Sequence, residues 1–474
     1  MHLRDAMPRP LLATLVLLAV FGADPSAVAL AQEDAPAPRA ITLPDALAYA
    51  RAHQPVIRAA LARITRERAE AEVPRGQWMP TVGATAQIFA ATANNTTGTY
   101  LNPAYMDVTR IGGTRSVSAG SATLSPYAST LVGVGLTQEL FDFGRIAAQS
   151  AAADALVEVR QHGADAERLD VEFGVEEAFF AVHAAKEILK ASDDAFARAR
   201  VHRDLAKAGV QAGLRPPIEL TRAEADLERF DIGRIKARGG LTIARAVLAA
   251  SMGATEPSLD VAGPAPTPAD MPALASAMQQ AAARDPHLRE TIAMLKAQEE
   301  RTRAIGAELR PDLLLSGTLT GRAGGAPPSG NGDKADAAGF LPSVPNWGVG
   351  LVLSWPLFDG GIAARRDAAR AGEGVRKEEI EVARQQLAAT IGHAFVTVGV
   401  ARDALPGLQR AVDAAIANYG QADARFKAGL GTSVELADAE ALRTTADIQL
   451  ALGVFELARA RATFGRAIAE GLAK

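Results

Sequence analysis

One stretch of this chain is written twice, and it limits what the rest can build. Ala212-Gly213-Leu214 is followed by Glu219-Leu220 and Ala223-Glu224; Ala428-Gly429-Leu430, 216 residues later, is followed by Glu435-Leu436 and Ala439-Glu440. A glycine at such a point lets the chain leave one helix. The acid six residues on falls in the first turn of the next, where the helix dipole favours negative charge. Each copy therefore reads as the tip of a helical hairpin. The stalks are long: residues 145–210 hold no proline and are rich in Ala, Glu, Arg and Leu, enough for about 100 Å of helix. Residues 362–427 match them, with Pro406 as the one interruption.

The copies belong to a larger duplication. Gln54-Pro55 is answered by Asp285-Pro286 and Met79-Pro80 by Arg310-Pro311, both displaced by 231. Leu140-Phe141-Asp142-Phe143-Gly144 is answered by Leu357-Phe358-Asp359-Gly360-Gly361, displaced by 217. The spacing predicts a first repeat over 32–255, a linker over 256–272 with five prolines, and a second repeat over 273–474. In each repeat a helix precedes two strands, and a long helix and a tip with its returning helix follow. The first of these helices is expected from Leu43 to about Val73. The helices before the strands and after the tip together match the long helix in length, so each repeat supplies two columns. In the last helix Val434, Ala441, Ile448, Phe455 and Ala462 recur at seven, with Ala437, Thr444, Ala451 and Ala458 three residues after them. That is the pattern of a coiled-coil seam with one small side; the alternative is an amphipathic helix of an ordinary bundle.

Between helices lie four period-2 segments. Val82, Ala84, Ala86, Ile88 and Ala90 form one apolar face, and Val132, Val134 and Leu136, within a strand expected over about 130–139, form the next. Leu313, Leu315 and Leu319 and then Trp347, Val349, Leu351, Leu353 and Trp355 form the other two. Polar stretches over about 93–124 and 322–345 read as loops. Strands of about ten residues suit a membrane-spanning β-strand, and Trp78, Trp347 and Trp355 lie near strand ends, where an interfacial aromatic girdle sits. Lipid cannot satisfy an open sheet edge, and known barrels begin at eight strands. Four strands per chain therefore require several copies, two giving eight and three giving twelve. The alternative is a soluble sheet packed on helices.

At the N-terminus Arg4 and Arg9 precede an apolar run from Leu11 to Ala23, and Ala29-Leu30-Ala31 supplies small residues for cleavage. Residues 1–31 read as a secretory signal, the run being short of the roughly 20 residues a spanning helix needs. A net charge of −4 offers no basic field to nucleic acid, and the absence of cysteine removes disulfides, thiolate metal sites and cysteine nucleophiles together. No phosphate-binding loop or nucleophile elbow occurs, and the seven histidines are scattered without zinc-like spacing. The expectation is a non-enzyme with no metal and no cofactor.

The duplication, the Leu-Phe-Asp-x-Gly after each strand pair and the glycine-to-acid tips together resemble the TolC family of outer-membrane efflux and secretion proteins, over nearly all of the mature chain. The resemblance implies an α+β membrane protein: a trimeric twelve-stranded transmembrane β-barrel continued by a long periplasmic α-helical barrel. It implies the exit duct of a tripartite export machine. The partners it implies are two further copies, a periplasmic adaptor, an inner-membrane transporter (ABC type favoured) and outer-membrane lipid. Type I secretion of an unfolded protein such as a toxin is the leading expectation. Length, Ala/Arg-rich composition and the missing cysteine are also similar to members that export an adenylate cyclase toxin. Small-molecule efflux is the close alternative, and a non-transporting periplasmic coiled-coil scaffold is the alternative of another class. Adaptor contacts would fall on Gly213, Leu214, Leu220, Ala223, Gly429, Leu430, Leu436 and Ala439. Glu435 and Asp438 match acids that ring the family's periplasmic constriction, and Glu219 matches an acid of its closed-state lock. Phe426 and Gly431 match the lock's aromatic and basic members but lack the hydroxyl and the charge.

Overall fold

The computed structural model describes residues 39–92, 126–255, 259–263, 271–324 and 344–473. The secretory signal, the first polar loop and most of the second lie outside them. The first set of elements is β1 (Arg39–Ile41), α1 (Leu43–His53), α2 (Pro55–Gly76), β2 (Thr81–Thr92), β3 (Pro126–Phe141), α3 (Arg145–Gln211) and α4 (Pro217–Met252). After β4 (Leu259–Val261) the order returns: α5 (Leu274–Arg284), α6 (Pro286–Ala307), β5 (Asp312–Gly324), β6 (Val344–Ser354), α7 (Gly360–Lys427) and α8 (Ser433–Ala467), closed by a 3-10 turn over Glu470–Ala473.

Local chemistry places the breaks. Proline keeps the residue before it out of the helical region, and Gln54 and Asp285 both sit at ψ 121°. The one helix expected over 43–73 is thus two, α1 and α2. The aspartate of Leu-Phe-Asp-x-Gly turns strand into helix. Asp142 is buried and accepts from the Gly144 and Ile146 amides, and Asp359 accepts from Gly361 at 2.7 Å and Ile362 at 3.1 Å. Each satisfies helix N-terminal donors that would otherwise be orphaned.

The helices form four columns in the order α2/α4, α3, α6/α8, α7, since α3 packs on α2, α4, α6 and α8, and α7 packs on α6 and α8. Gln54 Nε2 donates to the Ser251 carbonyl at 2.7 Å where α2 stacks on the end of α4. Two apolar clusters belt the columns at that height. Phe179, Val182, Leu248 and Met252 bury against α1 and β4, and Ile391, Val398, Leu457 and Phe464 bury against α5. β4 lies in the region expected as a linker and pairs in parallel with β1; three residues are too few for periodicity to reveal. Of the seam expected on α8, Ala458 and Ala462 are buried, Val434 is exposed and the rest are half-buried, while Leu436, Ala439, Leu457, Ala460 and Phe464 are buried as well. The helix is wedged between α7 and α3, so it needs two apolar faces rather than one stripe.

The strands form one antiparallel sheet in the order β2-β3-β5-β6. β3 is longer than its expected 130–139. The register puts Ala84, Val134, Leu319 and Trp347 in one row across all four strands, and Val82, Leu136, Gly317 and Val349 in another. The intervening row is Gly83, Gly135, Thr318 and Gly348. One face of the sheet is therefore apolar and open, Trp347 being 74% exposed, while the other is small and polar. Trp78 and Trp355 lie at the helical end of the sheet; Trp355 Nε1 donates to the Leu309 carbonyl at 3.3 Å. Trp347 is eight residues further along β6, about 27 Å at strand rise, which suits two aromatic levels on an apolar band. No described helix is long and apolar enough to cross a membrane.

Candidate functional site: the paired hairpin tips

The two tips share one backbone design. Gly213 (φ 70°) donates to the Val210 carbonyl and Leu214 to that of Gly209; Gly429 (φ 76°) donates to Phe426 and Leu430 to Arg425. Both are the paired bonds of a helix ending on a left-handed residue, where a side chain is disfavoured. Leu214 and Leu430 stand 82% and 76% exposed at the apices, beside exposed Gly213 and Gly429. Thr432 caps α8 by accepting from the Glu435 amide at 3.2 Å. Pro216 and Pro217 stiffen the other tip, with Pro217 in the first turn of α4.

Not every residue matched to an adaptor contact is at the surface. Ala223, Leu436 and Ala439 are buried and Leu220 is half-buried, because these positions are where the returning helices pack back on their stalks. Gly213, Leu214, Gly429 and Leu430 are the part of that set a partner can touch on the tips as they stand.

The matched lock positions are joined by a residue that sequence reasoning missed. Arg215 lays its guanidinium over the ring of Phe426 at 3.8 Å and donates from Nη2 to the Phe426 carbonyl at 2.6 Å. Its Nη1 is 3.6 Å from Glu219. Phe426 is 1% exposed, so the cation sits on a desolvated ring, where such a contact is strongest. The first tip is thereby fastened to the second. At Gly431 on the second tip a Cβ would be crowded, 3.1 Å from the Phe426 amide nitrogen and 3.2 Å from Arg425 Cβ. Arg215 and Gly431 stand 216 residues apart, at equivalent places in the two copies. Comparing the copies position by position was the signal that could have found it.

Behind the tips lies a buried polar cluster, also missed. Glu440 on α8 is 2% exposed and accepts from Arg198 Nη2 at 2.7 Å and Nε at 2.8 Å, and from Thr444 Oγ1 at 3.2 Å. His202 Nε2 meets Tyr419 Oη at 2.8 Å. The guanidinium groups of Arg198 and Arg443 lie 5.7 and 5.1 Å from the Tyr419 ring centroid. The cluster ties α3 to α7 and α8.

The acids matched to the ring are not equivalent. Glu219 turns inward to Arg215, whereas Glu435 is exposed with Arg425 3.9 Å away. Asp438 is exposed, with no ion pair among the described residues. A carboxylate without a countercharge exerts the larger field on passing ions. Asp438→Ala is therefore expected to reduce cation selectivity in bilayer recordings more than Glu435→Ala. Unchanged reversal potentials in the double variant would remove the ring.

The geometry up to this point defines a class: a four-stranded sheet with one open apolar face, continued by roughly 100 Å helical columns that end in fastened hairpins. A model of the outer membrane efflux protein family matches residues 46–254 and 277–469, and the chain belongs to that family. Its members are outer-membrane channels, not enzymes, and the outer membrane is where this chain resides. The fold is shared with the outer-membrane channel OprN (22% identity, TM-score 0.70, covering 90% of this chain and 89% of that one). It is shared also with the CmeC channel of Campylobacter jejuni (16% identity, TM-score 0.71, covering 90% and 86%). Fusaric acid resistance protein FusA of Burkholderia cepacia is 28% identical over 219 residues, 44% of this chain and 38% of that protein. The match thus spans well under half of that relative's length.

Proposed function

We propose that three copies of this chain close into a duct that passes small toxic organic compounds out through the outer membrane. The observation that carries the closure is that every open flank falls on the same two sides. β2 and β6 are the free edges of the sheet, and α2/α4 and α7 are the outer columns beneath them. Those columns carry apolar side chains exposed to water: Ile232, Ile235, Ile243 and Val247 on α4, and Val375, Val382, Val396 and Val400 on α7. One copy's α7/β6 side against the next copy's α2/α4/β2 side is a head-to-tail contact, which closes as a ring. Three copies give twelve strands with no free edge. Each ring then presents six tips, where an adaptor docks on Leu214 and Leu430 and bridges to an inner-membrane transporter.

For the cargo, the fusaric acid resistance named for the FusA relative supports small molecules over the unfolded toxin that the sequence suggested. Deleting the gene is expected to sensitise cells to fusaric acid and similar small organic toxins, with the secreted proteins unchanged. Loss of one secreted protein, with unchanged sensitivity, would restore type I secretion as the reading.

A further inference from the structure

We infer that His202 is a proton-operated pin between the two hairpins: charging it weakens the closed arrangement of the tips and opens the duct in acid. The inference rests on the duct reading above.

His202 lies on α3, about three turns before the first tip. Its Nε2 shares a hydrogen bond with Tyr419 of α7, and its ring stands nearly perpendicular to that of Phe426, the residue Arg215 clasps, with the ring centroids 6.3 Å apart. Its Nδ1 is buried and has no hydrogen-bond partner. With the ring neutral, that nitrogen can be a bare lone pair, a modest cost. With the ring charged, both nitrogens carry protons, and a buried N–H without an acceptor is expensive.

The groups around the ring come from four elements. Arg198 precedes it on α3. Tyr419, Asp423 and Lys427 face it from α7, and Glu440 from α8. Asp226 of α4 lines the same small cavity. Burial holds His202 below the usual histidine range; Asp423 and Glu440 pull it upward and Lys427 and Arg198 push it down. Tyr419 is pushed up to about 12 by burial first and then by the same two carboxylates, so it stays a neutral phenol. Asp423 also holds a buried oxygen, Oδ1, with no partner. It is the acceptor a charged ring would seek. Asp423 sits one turn beyond Tyr419 on α7, and neither its Oδ1 nor the His202 Nδ1 has a hydrogen-bond partner while the ring stays on Tyr419.

The sign follows from linkage. A base whose proton affinity is lower in the closed form favours that form fully above its ordinary pKa, near 6.5. That preference is lost as pH falls through and below this value, because the opened, hydrated ring takes the proton first. Three copies act together on one ring of tips.

The test uses the full-length channel in planar bilayers at pH 7.5 and pH 5.5. Wild-type open probability is expected to rise several-fold in acid. His202→Gln keeps a hydrogen-bonding group for Tyr419 but does not titrate, and should abolish the rise; His202→Asn serves if the first variant folds poorly. Glu435→Ala with Asp438→Ala should keep it, which separates the pin from the acids at the mouth. A His202→Gln channel that still opens in acid as the wild type does overturns the inference and leaves the duct standing. If neither the wild type nor Arg215→Ala conducts at either pH, the duct reading itself is overturned.

Discussion

Arg215→Ala is expected to leave the tips unfastened and the duct open. The side chain makes two contacts across the tips that nothing else replaces, the stack on Phe426 and the bond to the Phe426 carbonyl. A desolvated cation on an aromatic face is worth about 2 kcal/mol, and a hydrogen bond from a charged donor about 1.5–3 kcal/mol. The two are not additive, so a loss of roughly 2–4 kcal/mol per protomer is the working figure. Tenfold for every ~1.4 kcal/mol makes this a shift of more than an order of magnitude in the closed-to-open ratio of each tip. In bilayers the variant should show larger and longer openings at neutral pH. In cells it should admit a large antibiotic that an intact outer membrane excludes. Arg215→Lys keeps the charge but not the planar stack or the forked donors, and should fall between the two. Arg215→Ala channels as quiet as the wild type would mean the contact packs the tip without holding it.

The second large effect is expected at the open flank. Val396 and Val400 lie one turn apart on α7 and are both exposed, while Ala394 and Val398 bury toward α5 and α8. Valines left in water on both free columns are what a neighbouring copy would cover, each worth roughly 1.5–3 kcal/mol when fully buried. Val396→Glu with Val400→Glu puts two unpaired charges into each of three contacts, where stripping a carboxylate of water costs several kcal/mol. The wild type should run in detergent with the mass of three chains. The double variant should run as one, with its strands failing to close. A wild type of one chain removes the ring, and an unaffected trimer moves the contact between copies away from Val396 and Val400.

Much of the architecture was legible because its causes are local. Gly213 and Gly429 mark their turns through backbone angles that few other residues adopt. Asp142 and Asp359 cap helices within four residues; the break at Pro55 has an equally local cause, the residue just before it, and was passed over in expecting one helix over 43–73. The sheet is legible for the same reason. Period-2 alternation assigns a face to every side chain without knowing the partner strand, and the register then lined those faces up across all four strands. The short pair β1–β4 escaped because it is too brief to carry a pattern. The seam on α8 accounts for only part of its buried surface, because a heptad count presumes one partner where the helix has two.

The amino-acid sequence by itself determined that this chain makes one long hairpin and one strand pair with an apolar face, in duplicate, for a periplasmic and membrane setting. Only the tertiary structure decided what the hairpins say to each other. Arg215 reaches Phe426 across 211 residues of chain, and Arg198 reaches Glu440 across 242. Which faces meet there depends on the rotational phase of very long helices. A departure of about 20° per heptad between a straight helix and a supercoiled one accumulates to roughly half a turn over nine heptads. That phase is set by packing along the whole column, not by any residue near the tip. The tips, and Arg215 as the counterpart of Gly431, could therefore be found by reading the chain, and the contact that Arg215 makes with the other tip could not.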